Sequence, residues 1–143
     1  IEPMAIQKNV NIHFDVPEDI FIKADSLEIE IILNNFMSNA VKYNKDGGKV
    51  FLYISKTDDN YVISIEDTGI GISEEDQKLL FQDFVRIKNN KTKNITGSGL
   101  GLSIAKKLIS LYNGSVEMYS KVDEGTRFII KLPINYTPDS QVI

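Results

Sequence analysis

Asn35, Asn39 and Lys42 recur at i, i+4 and i+7 within a stretch of helical apolar spacing, which sets them on one face of a helix. Glu28, seven residues before Asn35, shares that face, and Ile29, Leu33, Phe36, Met37 and Ala40 form the opposite, core-facing stripe. The polar face is either a solvated stripe or a ligand face. Asparagine is a weak helix former, so surface propensity does not account for two of them. Its neutral amide oxygen suits a Mg²⁺ ion that already carries phosphate charge, and Lys42 would meet a phosphate as a point charge.

Asp67 closes an alternating run on the same side as Ile63 and Ile65. That parity puts a carboxylate at the rim of an apolar face, where it is costly unless hydrogen-bonded. Thr68-Gly69-Ile70-Gly71 follows directly. Glycines two apart serve a tight strand-to-helix turn, or they admit a flat ligand to the backbone while Asp67 accepts from an adenine amino group. Gly97-Ser98-Gly99-Leu100-Gly101-Leu102 opens a second helical pattern. Such a run is a loop stop with a helix cap, or a phosphate site built from free N–H groups at a helix start. It matches neither GxGxxG nor GxxxxGK[ST], which excludes the Rossmann and P-loop readings. Thr126 lies on the inward side of Thr126, Phe128, Ile130 and Leu132. Its hydroxyl bonds locally or reaches the same pocket as Asp67.

These residues need elements to hold them. Val10 to Val16 alternates and predicts a half-buried strand ending at Pro17, with a short strand over Ile20–Ala24. Asp25 or Ser26 caps a helix running to about Tyr43. The turn Asn44-Lys45-Asp46-Gly47-Gly48 leads to strands Lys49–Ser55 and Tyr61–Asp67, joined through Asp58-Asp59-Asn60. Ser73 caps a short helix over Glu74–Leu80, and Asn89–Thr96, without periodicity, predicts a mobile loop. The second long helix starts near Gly99, carries Leu100, Ile104, Leu108 and Leu111 as its stripe, and stops before Asn113-Gly114. Strands Ser115–Ser120 and Thr126–Leu132 close the domain at Pro133, and Tyr136–Ile143 reads as a linker. Strands in hairpin-like groups with long helices between them predict a two-layer α+β sandwich.

A length of 143 residues suits one domain with a substantial core. The net charge of −4, without a long run of like charges, argues against nucleic acid as the main partner. Lys88, Lys91 and Lys93 cluster among asparagines as part of the loop. No stretch approaches the roughly 20 apolar residues that cross a bilayer. Ile1-Glu2-Pro3 reads as a start in mid-chain, without a signal peptide. No cysteine is present, and His13 is the one histidine, which argues against disulfides, Cys-ligated zinc, a His-based metal site and a Ser-His-Asp triad.

Taken in order, ILNNFMSNAVKYN (Ile32–Asn44), EDTGIGIS (Glu66–Ser73), LFQDFVR (Leu80–Arg86), GSGLGLSIAKKL (Gly97–Leu108) and EGTRFIIKLP (Glu124–Pro133) resemble the catalytic domain of sensor histidine kinases. They match that family's asparagine, glycine and phenylalanine boxes and its closing Gly-Thr strand. The resemblance covers about Val10 to Pro133, and implies residues 1–9 as the end of a connection from an upstream helical domain and 134–143 as a tail. It implies the Bergerat fold of the GHKL superfamily: a mixed sheet backed by about three helices, with a flexible lid over ATP.

By resemblance, Asn39 binds Mg²⁺ with Asn35 beside it, Lys42 contacts phosphate and Tyr43 borders the nucleotide. Asp67 recognises the adenine amino group, with Thr126 in support. Gly69, Gly71 and Ile72 lie against the base. Gly97, Ser98, Gly99, Leu100, Gly101 and Leu102 hold phosphates. Phe81 and Phe84 anchor a lid over roughly Arg86–Thr96, and Arg86 reaches phosphate. The chain departs from the family pattern at Ser98 (commonly Thr), Val85 (commonly aromatic) and Tyr112-Asn113 (commonly His-Gly).

Gyrase, Hsp90 and MutL-type ATPases resemble the chain at the glycine boxes but carry a glutamate general base where Asn35 stands. An amide does not take a proton from water at neutral pH, so Asn35 favours phosphoryl transfer to a positioned nucleophile. Anti-sigma and mitochondrial-type protein kinases, or a non-catalytic ATP-binding module, are the alternatives. His13 lies in a strand and reads as a partly exposed residue rather than the phospho-acceptor. The resemblance therefore implies an upstream histidine-bearing dimerisation domain and a response regulator receiver domain as partners. It also implies a monomeric fragment of a homodimeric parent, and a cytoplasmic placement whether or not the parent is membrane-anchored.

Overall fold

Period-two alternation builds the sheet that carries Asp67. In a computed structural model, which describes residues 2–17, 25–75 and 100–134, the elements are α1 (Glu2–Lys8), β1 (Asn11–Asp15), α2 (Ser26–Lys42), β2 (Lys49–Lys56), β3 (Asn60–Asp67), α3 (Leu100–Leu111), β4 (Ser115–Lys121) and β5 (Gly125–Pro133). The strands form one sheet in the order β1-β2-β3-β5-β4. β1 runs parallel to β2 and every other pairing is antiparallel, so the sheet is mixed. β5 sits between β3 and β4: the chain leaves the sheet at Asp67, returns at the far edge and hairpins inward.

Val50, Leu52, Ile54, Ile63, Ile65, Phe128 and Ile130 turn one face of the sheet to the core, where Phe36 of α2 packs edge-on against Phe128 at 4.9 Å between ring centroids. Burying a side chain of that size contributes roughly 1.5–3 kcal/mol. The opposite face is largely open, with Tyr53, Glu66, Tyr119 and Arg127 exposed. The result is the expected two-layer α+β sandwich. No helix among the described residues is long and apolar enough to cross a membrane.

Four details depart from the sequence reading. β1 is mostly exposed, Phe14 at 63% and Val16 at 39%. It is an edge strand, paired on one side only among the described residues, so alternation does not guarantee a cover. On α3 the buried stripe is Ala105, Ile109 and Tyr112, while Ile104 and Leu111 are about half exposed. The helix is apolar enough to offer two stripes one residue apart, and docking on the sheet selects the second. On α2, Ile32 and Val41 are buried with Phe36, Met37 and Ala40, and Ile29 and Leu33 are only partly buried. The short helix α1, unassigned from sequence, sends Ala5 into the core. The expected strand 20–24 lies outside the described residues, as do most of the helix 74–80, the loop 89–96 and the tail 136–143.

Candidate functional site

Asp67 is 8% exposed at the end of β3, directly opposite Thr126 of β5. One carboxylate oxygen, Oδ1, accepts from the backbone N–H of Gly69 at 2.8 Å and of Thr126 at 3.2 Å. Among the described residues Oδ2 takes no hydrogen bond. Burial pushes the carboxyl up to about 6, against the pull of the Gly69 and Thr126 N–H groups, and the neighbouring Glu66 charge pushes the same way as burial.

The Thr126 hydroxyl turns out to bond locally. It lies 2.8 Å from Ser120 Oγ, which also donates to the Gly125 carbonyl and accepts from the Ile72 N–H at 2.7 Å. Ser120 thus ties the segment after Asp67 to the β4–β5 hairpin. Its signal was present as a second inward polar residue, after Val116 and Met118, facing Thr126 across the hairpin. A surface hollow of about 330 Å³ lies here, walled by Asp67, Ser120, Gly125 and Thr126 together with Glu66, Tyr119, Lys121, Glu124 and Arg127, the last five all exposed.

Both glycines after Asp67 are required by the chain's own packing. A Cβ on Gly69 would stand 2.3 Å from the Tyr43 carbonyl oxygen, and one on Gly71, whose φ is +72°, would stand 2.0 Å from that of Lys121. The turn reading of the motif is therefore sufficient to explain these glycines, and it also holds the backbone against the end of α2.

α2 begins on Asp25, whose side chain accepts from the N–H groups of Leu27 and Glu28, and ends at Tyr43. Asn35, Asn39 and Lys42 are half-buried rather than solvated, and among the described residues neither asparagine amide takes a hydrogen-bonding partner. Two unpartnered amides one turn apart fit a hard cation that brings its own anionic oxygens. No group of three acidic, His or Cys side chains that would hold a metal by itself occurs among the described residues.

α2 packs along α3, whose backbone is helical from Leu100 through Gly101 and Leu102. Gly97, Ser98, Gly99, Phe81, Phe84 and Arg86 lie outside the described residues. Tyr112, noted as a departure from the family pattern, proves to have a defined task. Its hydroxyl accepts from the Asp25 N–H and donates to Glu28 Oε1, both at 3.0 Å, so the end of α3 is tied to the start of α2.

The mixed five-stranded sheet backed by helices is the fold of histidine kinase catalytic domains. Residues 24–136 match the model of the histidine kinase-, DNA gyrase B-, and HSP90-like ATPase family, and the chain belongs to that family. Similar proteins within it include sensor kinases. The circadian input-output histidine kinase CikA of Synechococcus elongatus is 35% identical over 90% of this chain and 17% of its own length. The catalytic domain of the histidine kinase ThkA superposes with a TM-score of 0.78 at 25% identity, covering 95% of this chain and 87% of that one. Full-length ShkA, solved with AMPPNP, superposes with a TM-score of 0.77 at 29% identity, over 95% of this chain and 28% of that one. The chain spans 14% to 36% of the length of the curated relatives it matches.

Proposed function

We propose that this domain binds Mg²⁺–ATP and presents the γ-phosphoryl group to a histidine on a separate helical domain, within two-component signalling that ends on a response regulator. The observation that carries the reading is Asp67, a buried carboxylate with one oxygen spent on backbone N–H groups and the other left for a ligand. Ionised at neutral pH, that oxygen accepts from an amino group and repels a carbonyl, which selects adenine over guanine.

Asn39, with Asn35 beside it, would hold Mg²⁺, which supplies charge neutralisation between the phosphates. Lys42 would add a point charge at the same end, and the glycine-rich run Gly97 to Leu102 would supply N–H groups to the phosphates. Asn35 cannot act as a base toward water, so ATP waits for a placed nucleophile rather than being hydrolysed. The family match and the AMPPNP complex of ShkA support the nucleotide class.

The test is calorimetry with ATP, ADP and GTP. ATP and ADP should bind, with GTP at least about tenfold weaker because it leaves the site's polar group unpaired. Equal affinity for ATP and GTP would sink the reading.

A further inference from the structure

We infer that Asn44 is a positioning residue that fixes the spacing between the base end and the phosphate end of the nucleotide site. The inference rests on the reading above, with Asp67 at the base and the α2 face at the metal and phosphates.

Those two ends belong to different elements. Asp67 terminates β3, whereas Asn39 and Lys42 stand on the last turns of α2. What joins them is the segment just after each. Asn44 follows Tyr43, the residue that ends α2, and Thr68 follows Asp67. Asn44 is 3% exposed, so its amide must be satisfied internally.

Its Oδ1 accepts from the Lys45 N–H at 2.9 Å and from the Thr68 hydroxyl at 3.3 Å, a hydrogen shared with the Lys49 carbonyl at 3.5 Å, and its Nδ2 donates to the Lys49 carbonyl at 2.9 Å. Lys49 returns the contact, its N–H donating to the Thr68 hydroxyl at 2.9 Å and its carbonyl accepting from the Thr68 N–H at 3.1 Å. The bonds to Lys45 and Lys49 would suffice to hold a turn between α2 and β2. The bond to Thr68 reaches past the turn to the base end of the site.

A second strut runs alongside. The Ile70 N–H donates to the Tyr43 carbonyl at 3.1 Å, and Gly69 lies so close to Tyr43 that no side chain fits between them. The end of α2 and the Asp67 loop are thus clamped as one block. A ligand that touches both ends gains the full advantage of being one molecule only if the spacing between those ends is held.

The experiment compares ATP with adenosine, which reports the base end alone, on the unaltered protein and on Asn44→Ala, Thr68→Val and the double variant. Thr68→Val keeps the side chain's shape and loses only the hydroxyl, so it serves where Asn44→Ala does not fold. Affinity for ATP, by calorimetry, should fall about tenfold in each single variant, while affinity for adenosine, by NMR titration, stays within about twofold. The double variant should lose no more than the worse single one, because both remove the same link. Equal losses for ATP and adenosine, or additive losses in the double variant, would overturn the positioning role and leave Asn44 as part of a turn. Failure of the unaltered protein to bind adenosine would instead overturn the assignment of Asp67, and this inference with it.

Discussion

Asp67 holds a charge where burial opposes it, and the pH dependence that follows has a definite sign. Its pKa rises from 3.8 to about 6 in the folded chain, so between those values the native state keeps a proton that the unfolded chain has released. This group therefore favours folding at low pH, and the advantage is lost as pH rises through that window, leaving an ionised carboxylate that costs stability at neutral pH. Asp67→Asn keeps an acceptor for the Gly69 and Thr126 N–H groups and removes the charge. In the absence of nucleotide it should raise stability at pH 7 by roughly 2 kcal/mol, with little gain at pH 4. The same change should weaken ATP binding by roughly 1–3 kcal/mol, since a charge-assisted acceptor is gone. Thermal melts at both pH values, with calorimetry at pH 7, check both halves. A lower melting temperature at pH 7 without ligand would show that the carboxylate serves stability rather than binding.

The helices are held to each other as well as to the sheet. Tyr112 joins the end of α3 to the cap of α2 through Asp25 and Glu28, and its burial raises the phenol pKa. Tyr112→Phe keeps the ring in the core and removes the hydroxyl. The loss should be about 1 kcal/mol, a few degrees of melting temperature, with amides in the first turn of α2 exchanging faster and those of β3 unchanged. Uniform acceleration across the sheet would mean that the ring alone matters. α3 ends as its sequence dictates. Asn113 adopts a φ of 58°, and the Gly114 N–H donates to the Ile109 carbonyl at 2.9 Å, closing the helix where Asn-Gly follows it.

At the scale of the molecule, the one histidine is on the wrong side. His13 pairs across β1 and β2 with Phe51, its ring stacked at 5.0 Å, whereas Ile12 shares its row with Val50 and Asp67 on the core face. The sheet therefore separates His13 from the face that carries Asp67. Phosphoryl transfer needs the nucleophile in line with the leaving oxygen, so this chain by itself should bind ATP without labelling itself or releasing phosphate at an appreciable rate. Adding a helical hairpin domain that bears its own phospho-acceptor histidine should restore transfer, with an acid-labile, base-stable label on that domain alone. Incubation with γ-labelled ATP, with and without the hairpin, decides it; label on His13 would overturn the assignment.

Local pattern was enough to determine the two-layer architecture, the bounds of the five described strands within a residue or so, a helix cap at Asp25 or Ser26, the Asn113-Gly114 stop and the inward placement of Asp67 and Thr126. Each follows from periodicity or backbone preference, which act over a few residues. The motif order also identified the family. Tertiary structure alone decided what depends on contacts between distant segments. It chose the Ala105, Ile109 and Tyr112 stripe over the one through Ile104 and Leu111, because both are apolar and only the sheet beneath distinguishes them. It left Phe14 exposed on an edge strand that alternates like a half-buried one. And it brought Asn44 to Thr68, Tyr112 to Glu28 and Ser120 to Thr126, partners whose hydrogen-bonding capacity is written in the sequence but whose proximity arises only when the chain packs.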